Sequence, residues 1–593
     1  MSDPTEPSDV DPVDDASEQV SEVVEPDRPA HAETGATLEL SPLEEAIADA
    51  VALLSGPALT IPDDAPSADE LEALWGEEAT TALERVRGEL AGKRVGLAIS
   101  GGGSLGSFEA GALRFVYDHL GVRPVAITGN SAGALNAVAL AHGDDDEHEP
   151  AIDKVERLWR DMRVNEHMWE PEPWLERILA SASWASALRQ SNGEGNAAGA
   201  VRVAVRVVNS LVRRPEETDG TVDAIKDALK AQSLLSLQPV ANLIARELDL
   251  ERVAESGIAL RIGAVSLESG ELRYITEKGE MLDRAGNPLD HPRVPLADAL
   301  VASASIPVAF PPVRIGEEHY VDGGAREILP LAILLDTLDV DVAIAISASS
   351  PAITPSYSYA ERGLFDIMRR VTAEIATNET LRKELDPPRG WGEKVRLVIP
   401  EIDVHDTMTI DPALISISFD HGWMRAADQL LGLPEDLCHL TTLLTKTRIQ
   451  LRDLAGPLPS LFGTNPDKSQ RDDLADAAGA RSEQDRSKHG WTDGEATLTA
   501  RLREQVTARR EAGGPIPKAL AAWLAAPVLP LPPVLPPNTA SEPSIEAEPE
   551  SERESVVDDY DPATSTKAKA RLKSLVKGDS SKEKKPAVVD DDR

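Results

Sequence analysis

The chain is predicted to form an α/β fold, a three-layer sandwich with a mainly parallel central sheet between helices. Three observations predict it. Residues 94–99 (RVGLAI) and 124–128 (PVAIT) are short apolar runs on either side of a helix-spaced stretch, 107–120 (SFEAGALRFVYDHL), and strand, helix and strand at this spacing form a βαβ unit. Each apolar run ends in a glycine-rich turn, 101–106 (GGGSLG) and 129–133 (GNSAG), which sits where open α/β sheets bind ligands. Strand-like runs then return at 258–267, 271–276, 313–321, 340–347 (VDVAIAIS) and 394–399 (KVRLVI), with helical patterns between them.

The elements follow in order. Residues 1–40 hold twelve Asp or Glu against one basic residue, Arg28, and no aromatic residue, so they are expected to be a disordered acidic tail. Residues 41–92 read as a helical lead-in, with apolar spacing at 43–54 and 68–90 and Ser67 and Asp69 available for capping. After the βαβ unit and a helix over 131–142, residues 143–250 interrupt the sheet as a helical insertion that includes Trp159, Trp169 and Trp174. Within it, 201–214 (VRVAVRVVNSLVRR) carries Arg202, Arg206, Arg213 and Arg214 among apolar residues. That pattern fits an amphipathic helix on an anionic membrane surface, and fits better a core-packed helix with snorkelling arginines. Ser269 and Gly270 turn a hairpin between the next two strands. Helical patterns at 358–385, 411–431 and 434–455, with the strand at 394–399, complete a globular body through 351–460. Residues 461–593 are expected to be a mostly disordered tail, with one helical stretch near 494–525 and a stiff proline run at 527–537.

A net charge of −42 argues against a nucleic-acid partner, since phosphate binding is driven by Lys and Arg. The single cysteine, Cys438, excludes an intrachain disulfide. The first residues have neither a basic n-region nor an apolar h-region, and no stretch approaches the roughly 18 apolar residues of a spanning helix. A cytoplasmic protein is expected, meeting any lipid peripherally from the aqueous side.

The two glycine turns suit acyl transfer. G-x-S-x-G at 129–133 places Ser131 on a tight strand-to-helix elbow between Gly129 and Gly133. Gly102, Ser104 and Gly106 satisfy the same pattern, and Gly101, Gly103 and Gly106 satisfy the dinucleotide fingerprint G-x-G-x-x-G. The dinucleotide reading needs an acidic residue about 20 positions on, where Thr128 and Gly129 stand. Three successive glycines, Gly101 to Gly103, are better suited to presenting backbone N–H groups than to holding a nucleophile. The bland reading of both motifs is a pair of tight βα turns. A serine near neutral pH needs a base, and Asp322, in HYVDGG, ends a strand before Gly323 and Gly324.

The ordered set of Gly-rich loop, G-x-S-x-G elbow, the segment 302–312 (ASASIPVAFPP) and Asp322-Gly323-Gly324 resembles the patatin-like phospholipases. The resemblance covers about 94–350 and implies a patatin-like catalytic domain over 93–350. It implies Ser131 as nucleophile, Asp322 as its sole basic partner, Gly101, Gly102 and Gly103 as oxyanion hole, a lipid or phospholipid substrate, and no metal or organic cofactor. Many members carry Arg or Lys where Leu105 stands. Two alternatives stay open: an α/β-hydrolase triad using His405, His421 or His439, and a catalytically silent lipid-binding scaffold. His319, three positions from Asp322, is expected to point away from its face.

Overall fold

The computed structural model describes residues 67–144, 148–175, 231–353, 367, 370–385, 391–454 and 493–525. The acidic segment 1–40, the stretches 43–54 and 201–214, and the proline run 527–537 lie outside the described residues.

The strands are β1 (Val95–Ile99), β2 (Ala126–Gly129), β3 (Glu170–Pro171), β4 (Leu235–Ser236), β5 (Ala259–Ser266), β6 (Leu272–Thr276), β7 (Met281–Leu282), β8 (Val313–Ile315), β9 (Glu318–Asp322), β10 (Val342–Ile346) and β11 (Val395–Val398). All but the small β3–β4 ribbon join one sheet in the order β11-β10-β1-β2-β5-β6-β7, with β9 bound to β5 and β8 to β9. β11, β10, β1, β2 and β5 are parallel, and the strands beyond β5 are antiparallel. The mainly parallel sheet expected from the βαβ pattern is therefore observed. β1 is buried at every position, which is why it reads as an unbroken apolar run rather than an alternating one.

The helices are α1 (Ala68–Glu72), α2 (Glu77–Leu90), α3 (Gly106–Asp118), α4 (Ala132–Leu140), α5 (Ala151–Arg160), α6 (Gln238–Glu247), α7 (Leu250–Glu255), α8 (Leu296–Ala304), α9 (Leu331–Thr337), α10 (Thr377–Leu385), α11 (Pro412–Leu431), α12 (Glu435–Leu454), α13 (Asp493–Glu511) and α14 (Lys518–Ala525). They make the outer two layers. Successive strand residues point to opposite faces: Leu97 and Ile99 of β1 join the large core with α3, α4 and α11, while Ala98 joins Leu331 and Leu334 of α9 on the other side. Among the described residues no helix is long and apolar enough to cross a membrane.

Three expectations change. The single strand read over 313–321 is a hairpin, β8 and β9, because Gly316 turns the chain at φ +64°. The described part of the 358–385 helix includes a π-helical stretch, Arg370–Ala376, directly before α10. The helix near 494–525 breaks into α13 and α14 at Gly513-Gly514-Pro515, and α13 packs on α12.

That last contact combines apolar packing, with Leu502 and Val506 of α13 fully buried, and a buried charge. Arg509 donates to Asp428 Oδ1 at 2.7 Å, to Thr441 Oγ1 and the Leu437 carbonyl at 2.8 Å, and to the Pro515 carbonyl at 2.8 Å. Both members of the ion pair are fully buried, so removing Arg509 leaves Asp428 with only the more distant Arg425 guanidinium, 3.9 Å away, as its ion-pair partner. Arg509→Ala is expected to lower the unfolding free energy by about 3–5 kcal/mol in urea titration; a loss below about 1 kcal/mol would show that the pair does not anchor the C-terminal helices.

Candidate active site

β2 ends at Gly129 and α4 begins at Ala132, so the chain reverses within two residues. Ser131 bears the strain, at φ 53° and ψ −128°, a region that costs a side-chain-bearing residue roughly 1–3 kcal/mol. Its neighbours hold it there. The buried Asn130 accepts the Gly263 N–H at 3.1 Å and donates to the Glu327 carbonyl at 2.5 Å. The Ser131 N–H donates to Ser303 Oγ at 3.0 Å. Position 133 must be glycine, since a Cβ there would overlap the Ser100 carbonyl.

The first glycine loop lies alongside. A Cβ built on Gly101 would come within 2.9 Å of Ser131 Cβ. The Gly101 N–H donates to the Ile328 carbonyl at 3.2 Å, whereas the amides of Gly102 and Gly103 carry no hydrogen bond among the described residues. Gly103 adopts φ +56°, and its close seat under the Thr407 carbonyl leaves no room for a side chain. A 3₁₀ turn, Gly103–Leu105, then leads into α3.

Asp322 arrives by topology. β5 pairs with β6 along one edge; on the other it pairs with β2 through Ile262 and, past that point, with β9 through Ala264 to Ser266. β2 runs parallel to β5 and β9 antiparallel, so their carboxyl ends meet head to head on one edge. The strand that carries the aspartate thus lies in line with the nucleophile strand rather than beside it. Asp322 N–H donates to the Ser305 carbonyl at 2.9 Å, and its Oδ1 accepts the Gly324 N–H at 2.7 Å. Burial pushes its carboxyl up to about 6, against the opposing effects of the facing Ser131 hydroxyl and the Gly324 amide.

The competing residues stand in other settings. Ser104 is fully buried, and its hydroxyl donates to the Asp406 carbonyl at 2.8 Å, with His405 Nδ1 at 3.3 Å. His421 is buried edge-on against Phe108, His439 is exposed, and His319 pairs with Glu268 at 2.8 Å. Leu105 is buried.

Several positioning groups were not singled out from the sequence. Ser303 and Ser305 were legible as part of 302–312, but not in their roles as partners of Ser131 and Asp322. Glu384 on α10 accepts the N–H groups of Ile328 and Leu329 at 3.1 and 2.9 Å, and burial raises it to about 7. No local pattern marks it.

Residues 97–335 match the family model for patatin-like phospholipase. The α/β fold agrees with that match: the span is a patatin-like phospholipase domain, the class of lipid acyl hydrolases. Solved structures similar to the chain include VipD from Legionella pneumophila, at 13% identity over 73% of this chain and 90% of that chain with a TM-score of 0.30. Human GIVD cytosolic phospholipase A2 is 11% identical over 70% of this chain and 65% of that chain, with a TM-score of 0.26. No curated protein matches.

The raised carboxyl makes a stability prediction. In the folded chain Asp322 keeps its proton up to about pH 6, whereas an ordinary aspartate releases it near 3.8. The folded state therefore binds more protons between these values, and stability falls as pH rises through them. Asp322→Asn should be more stable than the parent above about pH 6.5 by roughly 1–3 kcal/mol and lose that advantage near pH 4. Equal stabilities at both pH values would show that the carboxyl is not raised.

Proposed function

We propose that the protein is a serine hydrolase that cleaves fatty-acyl esters of lipids or phospholipids through Ser131 and Asp322, without a histidine. One observation carries the reading: a strained, elbow-mounted serine faces a buried carboxylate, and two amides without a partner among the described residues lie in the adjoining glycine loop.

In this reading the Asp322 carboxylate takes the Ser131 proton as Oγ attacks the ester carbonyl. Its raised basicity suits it to that role better than an ordinary aspartate. The oxyanion is received by the amides of Gly102 and Gly103, while Gly101, its own amide held by Ile328, supplies close approach rather than a hydrogen bond. Asp322 returns the proton to the departing alcohol, leaving an acyl-serine. Water, deprotonated by Asp322, then attacks the acyl carbon, and Asp322 hands that proton to Ser131 Oγ as the ester bond breaks and the fatty acid leaves. We place the protein in the cytoplasm, reaching lipid peripherally from the aqueous side, with the 143–250 insertion selecting the substrate.

Ser131→Ala should lower kcat for p-nitrophenyl butyrate hydrolysis by at least about 10³-fold, with unfolding unchanged or improved. In the parent, kcat/KM should rise through about pH 6 as Asp322 ionises and stay level to pH 8. Full activity in Ser131→Ala, or a rise centred near pH 7 that His405→Ala abolishes, would overturn the dyad.

A further inference from the structure

Directly behind the glycine loop lies a carboxyl group that the dyad does not use. Glu109, in the first turn of α3, is fully buried. No cation lies against it among the described residues. Its Oε1 is 2.9 Å from Ser100 Oγ, and its Oε2 accepts Asn136 Nδ2 at 3.0 Å. Asn136 is otherwise satisfied, donating to the Gly106 carbonyl at 3.2 Å and accepting Trp159 Nε1 at 2.8 Å. Ser100 Oγ accepts the Ala348 N–H at 2.8 Å and lies 3.2 Å from the Gly101 carbonyl.

Counting protons separates two states. The Ser100 hydroxyl has one proton and two acceptors within reach, Glu109 Oε1 and Gly101 O. With Glu109 ionised, that proton goes to the carboxylate, Gly101 O loses its donor, and a charge sits buried without a counterion, at a cost of several kcal/mol. With Glu109 neutral, its O–H donates to Ser100 Oγ, and Ser100 donates to Gly101 O. Every group is then satisfied. Burial, the largest influence on Glu109, pushes it well above the usual carboxylate range.

The consequence reaches the reaction through one peptide plane. The Gly101 carbonyl and the Gly102 N–H belong to the same rigid unit and point in opposite directions, so a hydrogen bond gripping one aims the other. We infer that Glu109 is a positioning residue: as a neutral acid it drives the Ser100 hydroxyl onto the Gly101 carbonyl and so directs the Gly102 amide at the oxyanion. The inference rests on the hydrolase reading above and deepens it.

The test compares Glu109→Leu, Glu109→Gln, Ser100→Ala and the double variant Glu109→Leu/Ser100→Ala, with kcat, KM and thermal unfolding measured on p-nitrophenyl butyrate. Glu109→Leu should lose about 10²-fold in kcat with KM changed less than about twofold, the pattern of a lost transition-state contact. Glu109→Gln should recover most of that loss, because a carboxamide can donate to Ser100 and accept from Asn136. Ser100→Ala should match Glu109→Leu, and the double variant should be no worse than either. Glu109→Gln as impaired as Glu109→Leu would show that a charge is needed. Parent-like kcat in Glu109→Leu, or losses that multiply in the double variant, would equally overturn the inference. Should Glu109→Leu not fold, Ser100→Ala with unaltered kcat overturns it alone. Activity that survives Ser131→Ala would instead remove the hydrolase reading itself, which keeps the two failures distinct.

Discussion

One edge of β5 governs the site. It carries β2 as a parallel partner and, just beyond, β9 as an antiparallel one, so two strand ends from distant parts of the chain are forced to meet. Ser131 and Asp322 stand at those ends. A shift of one residue in the β5–β9 pairing would turn Asp322 to the opposite face of the sheet, and the clamps at Asn130, Ser303 and Ser305 keep the register from slipping.

The short segment Glu327 to Leu329 ties both loops to that edge. The Glu327 carbonyl holds Asn130 of the elbow, and the Ile328 carbonyl holds Gly101 of the glycine loop. The segment is held in turn by the Glu384 carboxylate and, through the Glu327 side chain, by Tyr274. The site is therefore assembled from backbone groups that are locked on their far sides. Such locking suits a reaction in which amides must point at a charge before it forms. It also gathers buried carboxyls, Glu109, Asp322, Glu327 and Glu384, whose titration burial pushes upward.

Much of this was legible in the sequence, for a physical reason. Buried parallel strands read as continuous apolar runs, and tight turns between such strands and helices demand glycine. β1, α3, β2 and the elbow were thus recoverable, and Asp322 stood out by the glycines after it. The engagement of the Gly101 amide was not legible, because its partner Ile328 is brought in only by the folded sheet. Glu109 resembled an ordinary helix-start acid and Glu384 a solvated one. The packing of 493–525 was hidden as well: α13 is rich in charge, and its short buried stripe of Leu502 and Val506 is completed by a buried arginine, Arg509, whose partners lie far away in sequence.

We propose Ser131 as the sole nucleophile. The most direct test is to treat the full chain with a fluorophosphonate, digest it, and locate the adduct by mass spectrometry. A single adduct on Ser131 is expected, formed faster as pH rises through about 6. An adduct on Ser104, or none on a folded chain, would contradict it.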